Sequence, residues 1–107
     1  MSPTPVYEIV TFKLNPDVTP EALRAIAAKV DPAIRAFPGL LSRDLLHDEK
    51  TGEWVELCRW ASLAQAEEAA QKVMGMPVFA PYFALMDPAT ITMRHLPIVP
   101  LSRAVPA

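Results

Sequence analysis

Apolar side chains along this chain follow two periods, and the switches between them mark the elements. From Val6 to Leu14 (VYEIVTFKL) β-branched and aromatic residues are dense, which predicts a strand. Val6, Glu8, Val10, Phe12 and Leu14 share one face, and Tyr7, Ile9, Thr11 and Lys13 the other. Both faces are largely apolar, so both are expected to be covered. Leu23, Ile26, Ala27, Val30 and Ile34 then recur at the helical period behind a Thr19 cap. Pro20 and Glu21 suit the first turn. Pro32 is expected to bend this helix, which continues to about Phe37 and ends at Pro38-Gly39.

Leu40 to His47 (LLSRDLLH) reads as the second strand, with Arg43 and His47 on the face of Leu41 and Leu45. The polar turn DEKTG leads into a third strand, Glu53 to Ala61. Trp54, Glu56, Cys58 and Trp60 line one face of it, and Val55, Leu57 and Arg59 the other. Ser62 with Gln65 forms a capping-box pattern. The alanine-rich helix behind it turns Leu63, Ala66, Ala69, Ala70 and Val73 inward, and Gly75 stops it. Pro77 opens a short helix carrying Val78, Phe79, Tyr82, Phe83 and Met86, which Pro81 keeps short or irregular. Ala89 to Leu96 (ATITMRHL) is the last predicted strand, closed by Pro97.

The order β-α-β-β-α-β predicts an α+β, ferredoxin-like domain, an antiparallel sheet with helices on one face. The opposite sheet face then carries Tyr7, Ile9, Thr11, Val55 and Leu57 uncovered. A monomer seldom leaves such a patch in water, so a homodimer joined sheet to sheet is expected. Residues 1–107 are read as a single domain, with a tail over 1–5 and an arm over 97–107.

Composition narrows the partners. Apolar residues make up 51% and charged residues 21% of 107 residues, the balance of a packed domain. A net charge of −2 without a basic cluster argues against nucleic acid. A single cysteine cannot staple the fold and suits a reducing compartment. The N-terminal MSPTPVYEI has no signal-peptide pattern, and no apolar run reaches the ~18 residues of a membrane span. A cytoplasmic chain without a membrane partner is therefore expected. Its three glycines sit isolated at turns, so no phosphate loop for a nucleotide, NAD or flavin is present.

Candidate chemistry gathers on the third strand. Glu56 on a helix-facing position is either a general base with a raised pKa or the partner of an arginine or lysine. Trp60, where strand meets helix, either stacks on an aromatic ligand or fills the core. His95 on the last strand is brought toward Glu8, as a proton-transfer pair or as a single strand-end hydrogen bond. Phe79, Tyr82 and Phe83 either form an apolar lid or pack as helical core. Cys58 reads as a small buried hydrophobe. His47 and His95 lie far apart without acidic neighbours at ligand spacing, which makes no metal site.

Three stretches carry a family resemblance: VYEIVTFKLNPDVT, PGLLSRDLLHDEKTGEWVELCRWAS and MPVFAPYFALMDPATITMRHLPIV. Together they resemble the antibiotic-biosynthesis-monooxygenase group of the dimeric α/β-barrel superfamily. That resemblance implies a homodimer that binds a small apolar or aromatic molecule without a cofactor. It also implies cofactor-independent oxygenation of an aromatic or polyketide-like compound, or non-catalytic binding by the same fold. Trp60 matches the family's pocket tryptophan. The asparagine four residues earlier is Glu56 here, and the tyrosine on the following helix is Ala66. Haem-degrading members place an asparagine, a tryptophan and a histidine where this chain has Phe12, Val73 and Phe83, which argues against haem. Glu56 and His95 are thus the catalytic candidates, with Trp60, Phe12, Glu8, Phe79, Tyr82 and Phe83 around the ligand.

Overall fold

The computed structural model describes residues 4–101. Strands β1 (Val6–Phe12), β2 (Leu40–Asp48), β3 (Glu53–Trp60) and β4 (Thr92–Pro97) form one sheet in the order β2-β3-β1-β4, every pair antiparallel. Helices α1 (Pro20–Arg35), α2 (Leu63–Val73) and α3 (Ala80–Phe83) complete the ferredoxin-like α+β arrangement. No helix among the described residues is long and apolar enough to cross a membrane.

Alternation on β3 came out as its sequence demands. Trp54, Glu56, Cys58 and Trp60 are buried, and Val55, Leu57 and Arg59 between them are only half-buried. The helix-side core has two parts. Phe12, Leu23, Ala27, Val30, Trp54, Val73, Phe79, Tyr82 and Met86 make the larger cluster, while Val6, Cys58, Trp60, Ala66 and Ala69 make the smaller. Small side chains on α2 let that helix sit close over the Trp60 end of the sheet.

Local chemistry sets the helix starts. Thr19 Oγ1 accepts the Ala22 amide at 3.1 Å, and Ser62 Oγ accepts the Gln65 amide at 3.2 Å. The second half of the capping box differs from its usual form, because Gln65 Oε1 accepts the Ser62 hydroxyl at 3.1 Å.

Several sequence expectations are corrected. Helix α1 continues through Pro32, as expected, but ends at Arg35 and not near Phe37. Pro32 is exposed, so its ring crowds no neighbouring element, and contacts of Asp31 with Arg35 and Arg43 tie the flanking turn. Strand β1 ends at Phe12, and Leu14 only bridges Met86. A bulge between Leu40 and Ser42 turns Leu41 out to solvent, while Arg43, Leu45 and His47 keep the helix-facing register. Leu63 and Val78 are exposed. Strand β4 begins at Thr92, because Pro88–Thr90 forms a 3₁₀ turn capped by Asp87 on the Ala89 amide at 3.0 Å. Of the expected tail and arm, residues 1–3 and 102–107 lie outside the described residues. The described parts meet where the Ile98 amide donates to Pro5 O at 3.0 Å.

Candidate functional site

Sheet register brings the titratable side chains into one band on the helix-facing side. One row across the four strands reads Arg43, Cys58, Glu8, His95, and the next reads Leu45, Glu56, Val10, Met93. Above these rows a cavity of about 490 Å³ opens between the sheet, α2 and α3. Its lining is mostly apolar, but Glu8, Arg43, Glu56, Cys58, Trp60 and Tyr82 all reach it. Apolar walls with a few convergent polar groups are the general form of a small-molecule site.

Glu56 is held on three sides. Arg43 grips it in a two-pronged pair, Nε to Oε2 at 2.5 Å and Nη2 to Oε1 at 3.0 Å. The Tyr82 hydroxyl donates to Oε1 at 2.5 Å, and the Cys58 thiol lies 3.6 Å from Oε2. Arg43 Nη1 donates to Ala27 O and to Asp31 Oδ1, each at 2.9 Å, which stitches α1 to the sheet. Burial works against the Arg43 charge, yet its bonds to Glu56 outweigh that and hold the guanidinium above its usual pKa. Burial, reinforced by the Glu56 charge, pushes the Tyr82 hydroxyl and the Cys58 thiol well above their ordinary ranges. Neither group supplies an anion at neutral pH, so Cys58 is no nucleophile.

Glu8 differs. His95 Nε2 lies 3.0 Å from Glu8 Oε1, so the expected approach of these two side chains is realised. Desolvation raises the Glu8 pKa, with His95 pulling the other way and Glu56 adding to the rise. Trp60 is 1% exposed, and its indole Nε1 is buried without a hydrogen-bond partner. That N–H is directed at Glu8 and favours its ionised form, though not in a hydrogen bond of standard geometry. A buried donor left unpaired costs about 1–3 kcal/mol.

The other sequence candidates fall into place around this band. Phe79, Tyr82 and Phe83 line the cavity. Phe12 is fully buried in the larger core cluster and is not among the lining residues. His95 also stands outside the lining, behind Glu8. Trp60 meets Phe37 edge-on, with ring centroids 6.5 Å apart. Sequence reasoning did not place Asn15, Ile91 and Met93 at the cavity, since long-range packing brings the chain after β1 and the entry to β4 to its rim. Among the described residues no group of three His, Cys, Asp or Glu side chains is arranged to hold a metal ion.

No protein-family model and no curated protein matches the chain. Solved structures do. Rv0793 from Mycobacterium tuberculosis is 28% identical over 94% of this chain and 99% of its own, with a TM-score of 0.64. SnoaB from Streptomyces nogalater, a cofactor-independent oxygenase, is 19% identical over 96% of this chain and 99% of its own, with a TM-score of 0.63. A Bordetella bronchiseptica protein proposed to be an antibiotic biosynthesis monooxygenase is 14% identical over 90% of this chain and 98% of its own, with a TM-score of 0.75. The chain therefore has the ferredoxin-like fold of antibiotic-biosynthesis-monooxygenase-like proteins.

Proposed function

We propose that this chain is a cofactor-independent oxygenase for a hydroxylated aromatic or polyketide-like molecule, with Glu8 as its general base. One observation carries the reading: a desolvated carboxylate lines an apolar cavity, with a histidine behind it and an indole N–H directed at it. Such a carboxylate takes a proton from a phenol or an activated CH₂ more readily than an exposed one does. His95 orients Glu8 from outside the cavity. Trp60, whose buried indole N–H is directed at Glu8, helps hold that carboxylate in place. The resulting electron-rich anion reacts with dioxygen directly. One oxygen atom converts the CH₂ to a carbonyl, and the other leaves as water with the two hydrogens.

Glu56, the other catalytic candidate, is given a structural duty instead. Its oxygens are occupied by Arg43 and Tyr82, and it fixes α3 over the cavity. That same occupation favours the second reading, a non-catalytic binder of the same ligands. Oxygen uptake on a panel of anthrones and hydroquinones, in buffer with chelator, separates the two. Turnover is expected for the wild type, with a loss of about 10²–10⁴-fold in Glu8→Gln at little-changed KM. Saturable binding without oxygen uptake on any panel member would leave the binder.

The assembly proposed for this function is a homodimer joined through the open sheet face. Tyr7, Ile9, Thr11, Val55, Leu57 and Arg59 on that face are only half-buried within one chain.

A further inference from the structure

We propose that the cavity is a charge filter that admits uncharged aromatic ligands and rejects anionic ones, with Glu8 as the determinant. The inference rests on the cavity being the ligand site. Three charged side chains line it, the carboxylates Glu8 and Glu56 and the guanidinium Arg43. Arg43 would be the natural receptor for a ligand carboxylate or sulfonate, but it is already committed. One Nε–H, one Nη2–H and both Nη1–H groups are engaged by Glu56, Asp31 and Ala27 O, which is four of its five donors. Its charge is matched by Glu56 at 2.5 Å and by Asp31 at 2.9 Å. No other lysine or arginine lines the cavity among the described residues.

An entering anion would therefore shed its water against apolar walls and meet Glu8 with no free cation in reach. Like charges a few ångströms apart in a partly dry site repel strongly. A neutral hydroxyl meets the reverse situation, since Glu8 is an acceptor to which it can donate. The groups facing Glu8 from each packed element are His95 on β4, Cys58 and Glu56 on β3, Arg43 on β2 and Tyr82 on α3. Those of α2 that reach the cavity, Ala69, Ala70 and Val73, carry no charge.

Two fluorescent probes with one skeleton test this: neutral N-phenyl-1-naphthylamine and its permanently anionic relative 8-anilino-1-naphthalenesulfonate. At pH 8 the sulfonate is expected to bind the full chain at least tenfold more weakly. Glu8→Gln, which keeps the side chain's size, should narrow that gap at least threefold. Lowering the pH of the wild type should narrow it too, because desolvation raises the Glu8 pKa and its protonation removes the repelling charge. Equal affinities in the wild type would overturn the filter while leaving the pocket intact. So would a gap unchanged by both Glu8→Gln and acid, since size alone would then explain it. Failure of the neutral probe to bind, or binding indifferent to a cavity-filling Ala70→Phe, would overturn the pocket and the filter together.

Discussion

Glu8 and Glu56 face the same side of neighbouring strands, yet their surroundings give them opposite work. Glu56 faces a guanidinium fork, a phenol and a thiol, so it belongs to a closed network. Truncating it removes the two-pronged partner of Arg43 and leaves that buried guanidinium only Asp31 and the Ala27 carbonyl. Glu56→Ala is expected to cost about 3–5 kcal/mol in urea unfolding, and a double replacement of Glu56 and Arg43 by apolar residues less than the sum of the two. Glu8 has one ionisable neighbour on its outer side, and its raised pKa sets the sign of a pH profile. Activity should fall as pH drops, along a limb centred above the ordinary carboxylate value, because protonated Glu8 is no base. His95→Ala removes the strongest influence lowering that pKa, so the limb should move to higher pH. A limb unmoved by His95→Ala would dissociate the two residues. The meeting of Glu8 with His95 was legible in the sequence, since strand order alone makes them neighbours. Arg43 was legible as a face-sharing residue but not as the grip on Glu56, because the sequence offered any arginine or lysine as that partner.

Elements are where local propensity and tertiary context disagree most openly. The caps at Thr19 and Ser62 could be read directly, because a hydroxyl at that position serves the local backbone whatever surrounds it. Pro32 could not. A proline inside a helix withholds one amide, yet α1 passes through it while Asp31 next to it anchors Arg43 and Arg35. Pro32→Ala should restore the missing hydrogen bond at an exposed position and stabilise the chain by up to about 3 kcal/mol in thermal unfolding. Gly39 shows the opposite constraint. Its φ of +91° is unfavourable for other residues, and an added Cβ would fall 2.3 Å from Gln65 Oε1. Gly39→Ala is therefore expected to destabilise by about 1–3 kcal/mol and to disturb the capped start of α2. The late start of β4 escaped the sequence reading for a related reason, since Ala89-Thr90-Ile91 carries strand propensity but Asp87-Pro88 closes a 3₁₀ turn first.

At the scale of the molecule, fold and site come from the same geometry. An α+β order with both faces of β1 apolar requires helices on one side and predicts a partner on the other. The helix side was legible from the buried alternation on β3. The volume left above it was not, because a cavity is a difference between packing and its failure, and alanines on α2 fit either outcome. If the open face is a dimer interface, the wild type should sediment at twice the chain mass. Leu57→Lys should shift it to a monomer with its helical circular dichroism retained. The ligand site itself is tested most directly through Trp60, which lines the cavity beside Glu8. With two tryptophans, the chain gives two indole N–H signals in a ¹⁵N-correlation spectrum, assignable with Trp54→Phe. Titration with anthrone under nitrogen should shift the Trp60 signal as the ligand fills the cavity beside its ring and Glu8, and leave the Trp54 signal nearly still. A Trp60 signal unmoved while anthrone saturates the protein would place the ligand elsewhere and contradict the site.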